Sequence, residues 1–218
     1  MLFHMKDHKA AVLENDLNKL QKDGPAAWAD LPEDELFTPA GFSSQQAEAT
    51  EELTFAQQAY EMDSLRLALD GTPANPGLVK IADRYSSTEA GNVAKYLAGA
   101  AYYRLGQYEQ AISYLEKYVG KDEVTPAEAL GMIGDCYAQL DRPEEALKYY
   151  EKAAAKRDNS FTAPFYLMKA GNTAIYLKKY SVAEKHFRAI KDNYPESAQA
   201  ASVDKYIEFA AGAAKNFK

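Results

Sequence analysis

One cysteine, three histidines and one tryptophan in 218 residues leave little material for several common chemistries. A lone thiol, Cys136, cannot close an internal disulfide, so no disulfide framework staples the chain. With no histidine near it in sequence, Cys136 reads as a small structural residue between helices and not as a nucleophile. His4 and His8 stand four apart on a predicted helix, the spacing of a two-histidine metal face, but no third ligand motif follows, and no metal or other cofactor is expected. His186 stands alone between Lys185 and Phe187. The 12 glycines include no phosphate loop. Gly71 to Gly77 is broken by prolines and lacks the closing Lys-Ser/Thr, so it cannot present consecutive backbone donors. No run approaches the ~18 apolar residues that cross a bilayer, and residues 1–8 lack the apolar core of a secretion signal, so the chain is expected to be soluble and unanchored. Positive charge is in deficit, 25 basic against 32 acidic residues for a net −7. That balance disfavours binding to a nucleic-acid backbone and leaves protein partners open.

What the chain does have is apolar content, tyrosine and a period. Hydrophobic residues make up 47%, enough for a core, and tyrosines number 16 against 9 phenylalanines. Tyrosine suits half-buried helix faces, where the ring packs and the hydroxyl stays wet. Gly99, Tyr102, Leu105, Tyr108, Ala111 and Leu115 recur as Gly134, Tyr137, Leu140, Pro143, Ala146 and Tyr150. They recur again as Gly171, Ala174, Leu177, Tyr180, Ala183 and Phe187. The glycines are 35 and 37 residues apart, a period that signals stacked helical hairpins. The second helices carry matching stripes: Tyr108, Ala111, Leu115, Tyr118; then Pro143, Ala146, Tyr150, Ala153; then Tyr180, Ala183, Phe187, Ile190.

Ahead of these hairpins, Leu13, Leu17 and Leu20 mark an amphipathic helix to about residue 22, stopped by Asp23-Gly24-Pro25. Residues 25–43 read as an irregular connector. Its apolar residues Trp28, Leu31, Leu36 and Phe37 either pin it to the repeat body or fill a groove of this chain or a neighbouring copy. Helix resumes from about Gln45 to Tyr60, again at about Asp63 to Leu69, and from Leu78 to Tyr85, with a loop over Gly71 to Gly77. Ile81-x-Asp83-x-Tyr85 followed by Thr88 parallels Ile190-x-Asp192-x-Tyr194 followed by Ser197, and each hydroxyl is expected to cap the next helix. Thr125-Pro126-Ala127-Glu128 reads as a capping box, and Thr162 before Pro164 as a similar start. A last helix, about Ala198 to Ala214, turns Val203, Tyr206, Ile207 and Ala210 inward and closes the apolar end of the array.

On these residues the chain resembles the tetratricopeptide repeat family over about 45–214. The resemblance implies an all-α, right-handed α-solenoid of helical hairpins with a C-terminal capping helix. The expected organisation is an N-terminal helical arm and linker at 1–44 and a degenerate first hairpin at 45–91. Three repeats follow at about 92–125, 126–162 and 163–197, and then the capping helix and tail at 198–218. Phe55 to Gly71, followed by Ala90-Gly91-Asn92-x-Ala94-x-Tyr96, is similar to a bacterial, usually membrane-anchored subgroup, the YfgM-like proteins, whose anchor is missing here. That likeness implies a periplasmic location beside protein export or envelope assembly; without it the chain reads as cytoplasmic.

The family's groove positions, carried onto this sequence, are Tyr96, Ala100, Tyr103 and Arg104; Gly131, Asp135, Ala138 and Gln139; Met168, Asn172, Ile175 and Tyr176. The resemblance implies that Tyr96, Tyr103, Arg104, Asp135, Gln139, Met168, Asn172 and Tyr176 hold a peptide or partner protein. The lysine and asparagine pairs that some relatives use to clamp a C-terminal carboxylate are absent, with Tyr96 and Ala100 at two of those places. A non-enzymatic adaptor is the expected function. The alternatives are a self-associating scaffold, with a homodimer through the N-terminal arm, or an enzyme with a site that leaves no motif.

Overall fold

The computed structural model describes residues 39–156 and 159–216, with side chains from Ser44 onward. The expected helix over residues 1–22, the His4/His8 pair and the Trp28 cluster lie outside the described residues. Residues Gln45–Lys218 form one compact unit.

The described chain is helical. In order the helices are α1 (Pro39–Glu61), α2 (Leu65–Asp70), α3 (Leu78–Arg84), α4 (Glu89–Arg104), α5 (Tyr108–Leu115), α6 (Thr125–Gln139), α7 (Pro143–Lys156), α8 (Thr162–Tyr176), α9 (Tyr180–Asn193) and α10 (Val203–Asn216). Among the described residues no helix is long and apolar enough to cross a membrane. From α2 onward each helix packs on its sequence neighbour, α4 on α5, α6 on α7, α8 on α9, and α9 on α10. The first helices of successive pairs also touch, α4 with α6 and α6 with α8, and so make a continuous face. This is the expected all-α solenoid with a closing helix.

The turn inside each pair is one device used four times. Asp63, Gly106, Asp141 and Lys178 take positive φ values of 61°, 73°, 55° and 56°. In each case that residue's N–H donates to the carbonyl three residues back, and the next N–H donates to the carbonyl five back. This left-handed closure satisfies the last carbonyls of the first helix and reverses the chain in few residues. The turn at Asp63 links α1 to a second helix that a Gly71–Gly77 loop splits into α2 and α3.

Packing within a pair follows from the small residues. A Cβ on Gly99 would lie 2.5 Å from Leu115 Cγ, one on Gly134 2.7 Å from Tyr150 Cδ1, and one on Gly171 2.4 Å from Phe187 Cε1. Ala111, Ala146 and Ala183 beside these contacts are fully buried. The helices therefore meet backbone to a bulky side chain, which fixes the register of each hairpin. Phe187 also packs on Tyr206 at 5.3 Å between ring centres, joining α10 to the array. Val203, Ile207 and Ala210 are buried as expected.

Thr88 Oγ1 accepts the Gly91 N–H at 3.0 Å and caps α4 as expected. Ser197 Oγ accepts the Ala200 N–H at 3.3 Å, but in a turn ahead of a short 3-10 segment, Ala200–Ser202; α10 begins at Val203, not near Ala198, and Ser197 does not cap it. Three further expectations need correction. Helix α1 begins at Pro39, not near Gln45, consistent with the fixed φ of proline at a helix start. The caps of α6 and α8 are Asp122 and Asn159, not Thr125 and Thr162. Asp122 Oδ1 accepts the Val124 and Thr125 N–H groups at 2.8 and 2.7 Å, and Oδ2 accepts the Thr125 hydroxyl. Asn159 Oδ1 does the same for Phe161 and Thr162. Each threonine hydroxyl is used instead as a donor to the Asp122 or Asn159 oxygen, which leaves the acidic or amide side chain to take the first N–H groups. Finally, the stripe of α5 does not reach Tyr118 in helical form. The helix ends at Leu115, tightened by Lys117 N–H to Tyr114 O and Tyr118 N–H to Leu115 O.

Candidate partner-binding face

At 3.6 residues per turn, the twelve projected positions recur on one side of α4, α6 and α8. The structure divides them into groups that hold the repeats together and groups open to a ligand. Tyr96 is half-buried; its hydroxyl donates to Glu128 Oε2 at 3.2 Å and its ring lies 5.1 Å from that of Tyr118. Arg104 pairs with Asp63 at 2.5 Å and lies over the Tyr60 ring at 5.5 Å, tying the first pair to the second. Asp135 receives both Lys169 Nζ, at 2.6 Å, and the Tyr150 hydroxyl, at 2.5 Å. Burial, reinforced by Asp135, holds the Tyr150 phenol well above its ordinary pKa, so it stays a donor. Tyr103 is half-buried with its ring 6.1 Å from that of Tyr108; burial first and Asp135 second raise its phenol too.

The remaining positions differ in access. Tyr176 is 70% exposed, and Gln139, Asn172 and Ala138 are exposed. Met168 and Ile175 are half-buried against the core of the last two pairs. Ala100 is buried, and Gly131 is covered by the Tyr166 ring, whose Cε1 would stand 2.0 Å from a Cβ. Neither therefore offers groove surface.

Sequence reasoning missed Lys169, Glu128 and Phe165. Lys169 neutralises Asp135 and reaches the Phe165 ring at 5.2 Å, while Phe165 is 42% exposed at the edge of the same face. A signal was present: Val93, Glu128 and Phe165 recur at the repeat period, as do Leu97, Met132 and Lys169.

In chemical terms the face offers aromatic rings, phenol edges and carboxamides, with Arg104, Asp135 and Glu128 already engaged within the chain. Such groups receive apolar side chains and backbone amides. Among the described residues no cluster of three or more His, Cys, Asp and Glu is placed to hold a metal ion. Cys136 is fully buried, and burial pushes its thiol up to about 12, so it is protonated at neutral pH. His186 faces Glu151 across 2.9 Å and is engaged between α7 and α9.

Comparison with known proteins agrees with this architecture. Residues 96–160 match a family model described as tetratricopeptide repeat, and residues 166–197 match a second of the same description. These two segments carry tetratricopeptide repeats, modules that generally mediate protein–protein interaction and are typically non-enzymatic. Among the solved structures that share the fold are two of low identity. One is MamA, at 15% identity and a TM-score of 0.53, covering 77% of this chain and 92% of that one. The other is a Podosopora anserina kinesin light chain with nearly identical TPR-like repeats, at 12% identity and a TM-score of 0.55, covering 79% and 89%. No curated protein matches the chain in sequence.

Proposed function

We propose that the chain is a non-enzymatic adaptor that holds a peptide segment or partner domain against the face formed by α4, α6 and α8. The observation that carries this reading is the combination on that face of engaged charges and open neutral groups. Asp135 is satisfied by Lys169 and Tyr150, whereas Tyr176, Asn172 and Gln139 remain accessible. A partner gains apolar contact with the rings and hydrogen bonds to the amides without displacing an ion pair.

The repeat boundaries given above, the first pair at 45–91 included, belong to this proposal and draw support from the Asp63 turn. Placement beside export or envelope assembly rests on the likeness of residues 55–96 to the YfgM-like subgroup. Self-association through residues 1–44 is the alternative, and a molar mass that rises with concentration in light scattering would favour it. The direct test is Tyr103→Ala with Tyr176→Ala. Partner capture should fall at least about tenfold with helicity intact, and unchanged capture would move the partner to another face.

A further inference from the structure

We infer a second docking site on the opposite side of the array, one that takes a leucine-sized apolar side chain from an acidic peptide. It is a cleft of about 430 Å³ between α5, α6 and α7, within the range of ligand-sized pockets. Its origin is local. Helix α5 has 8 residues where its counterparts α7 and α9 have 14, so its last turns are missing. That leaves a cleft in which Val119 is exposed and Leu130 and Tyr149 are half-buried, above a buried apolar floor of Leu115, Ala129 and Ile133. On α6 the cleft residues Ala129, Leu130 and Ile133 fall opposite the groove residues Asp135, Ala138 and Gln139, so the two sites are separate.

The lip of the cleft is held, not loose. Asn92 clamps Val119 at two points, Nδ2 donating to its carbonyl at 2.8 Å and Oδ1 accepting its N–H at 3.0 Å. The Tyr118 hydroxyl bonds Thr125 Oγ1 at 2.5 Å. Gly120 lies so near Pro126 that a Cβ would stand 2.6 Å from its Cγ, which only glycine permits. This pinned loop keeps the Val119 side chain 68% exposed at the mouth. An ordered, exposed valine beside the half-buried Leu130 and Tyr149 gives a partner side chain a preformed seat.

Charge selects the partner. Lys152 and Lys156 stand one turn apart on α7 at the rim, with Lys152 Nζ 4.3 Å from the centre of the Tyr149 ring. Among the described residues neither lysine pairs with a carboxylate. The carboxylate that lines the cleft, Glu116, accepts the Tyr149 hydroxyl at 2.6 Å. On a chain of net charge −7, two lysines against the single carboxylate of Glu116 leave this rim locally cationic beside an apolar seat, complementary to acidic residues flanking an apolar anchor.

The test is an NMR titration of the full chain with the acetylated, amidated peptide Asp-Glu-Asp-Leu-Asp-Glu-Asp. Two further peptides are compared, one with alanine for leucine and one with lysine for every acidic residue. The amides of Val119, Ile133 and Lys156 should shift with the first peptide, and each altered peptide should bind at least about tenfold more weakly. Lys152→Glu with Lys156→Glu, and separately Val119→Asp, should weaken binding similarly. All three positions are exposed, so the fold is retained. Lys185→Glu, the same charge change on α9, should leave binding unchanged. Equal binding of the lysine peptide, shifts confined to other residues, or no shift at millimolar peptide would overturn the site.

Discussion

Lys169 Nζ lies 2.6 Å from Asp135 Oδ1 and 2.8 Å from Oδ2, a two-point contact between α6 and α8, with the Tyr150 hydroxyl on the same carboxylate. The pair is partly shielded, the side chains being 32% and 24% exposed. Lys169→Met should lower stability by about 1 kcal/mol, and Asp135→Ala by about 2 kcal/mol, because the alanine also strands the Tyr150 hydroxyl. A double-mutant cycle read from urea midpoints should return positive coupling. Additive losses would show that the two residues act independently.

The cap at Asp122 makes stability depend on acid. Its hydrogen bonds to the Thr125 side chain and backbone hold its carboxyl down from 3.8 to about 2. A carboxyl depressed by folding stabilises above its unfolded value and loses that contribution as pH falls through its folded value. The loss should therefore fall between about pH 4 and pH 2. Asp122→Ala should flatten the urea midpoint over that window relative to the parent protein, and should cost about 1 kcal/mol at pH 7.

The four turns predict a gain. Lys178 and Asp141 hold left-handed φ values of 56° and 55°, at the place where the second pair has Gly106. Lys178→Gly should raise stability by up to about 1 kcal/mol in a thermal melt, since the side chain's conflict with the backbone is removed. Asp141→Gly should gain less, because aspartate tolerates this conformation. Gly106→Ala should cost about 1 kcal/mol.

Two glycines separate packing from propensity. Gly134→Leu should prevent cooperative folding, since even a Cβ would stand 2.7 Å from the Tyr150 ring. Gly212 in α10 has nothing within 4 Å of such a Cβ, and Gly212→Ala should stabilise by about 0.5–1 kcal/mol. Circular dichroism melts distinguish the two outcomes.

The sequence made the backbone of this fold readable because the signal is periodic. Gly99, Gly134 and Gly171 each meet the bulky residue 16 positions on, a contact that composition and spacing encode together. Thr88 was readable as a cap because it stands directly before its helix, whereas Ser197, in the matching place, is separated from α10 by a 3-10 segment. Asp122 and Asn159 were not, because their oxygens reach donors two and three residues ahead while nearby threonines imitate a capping box. Lys169 was hidden for a different reason. Its value lies in a partner 34 residues away, visible only once the repeats are laid side by side. The early end of α5 was masked by Tyr118, whose ring continues the apolar stripe although its backbone has left the helix.

The most direct measurement of the adaptor reading is photo-crosslinking in the native cell, with a benzophenone amino acid placed at position 176, whose tyrosine is 70% exposed. The same probe at position 185, on the far side of the last pair, serves as the comparison. The account predicts a discrete crosslinked partner from position 176 that disappears when Tyr103→Ala is added. Crosslinks from position 185 alone, or a position 176 adduct indifferent to Tyr103, would contradict it.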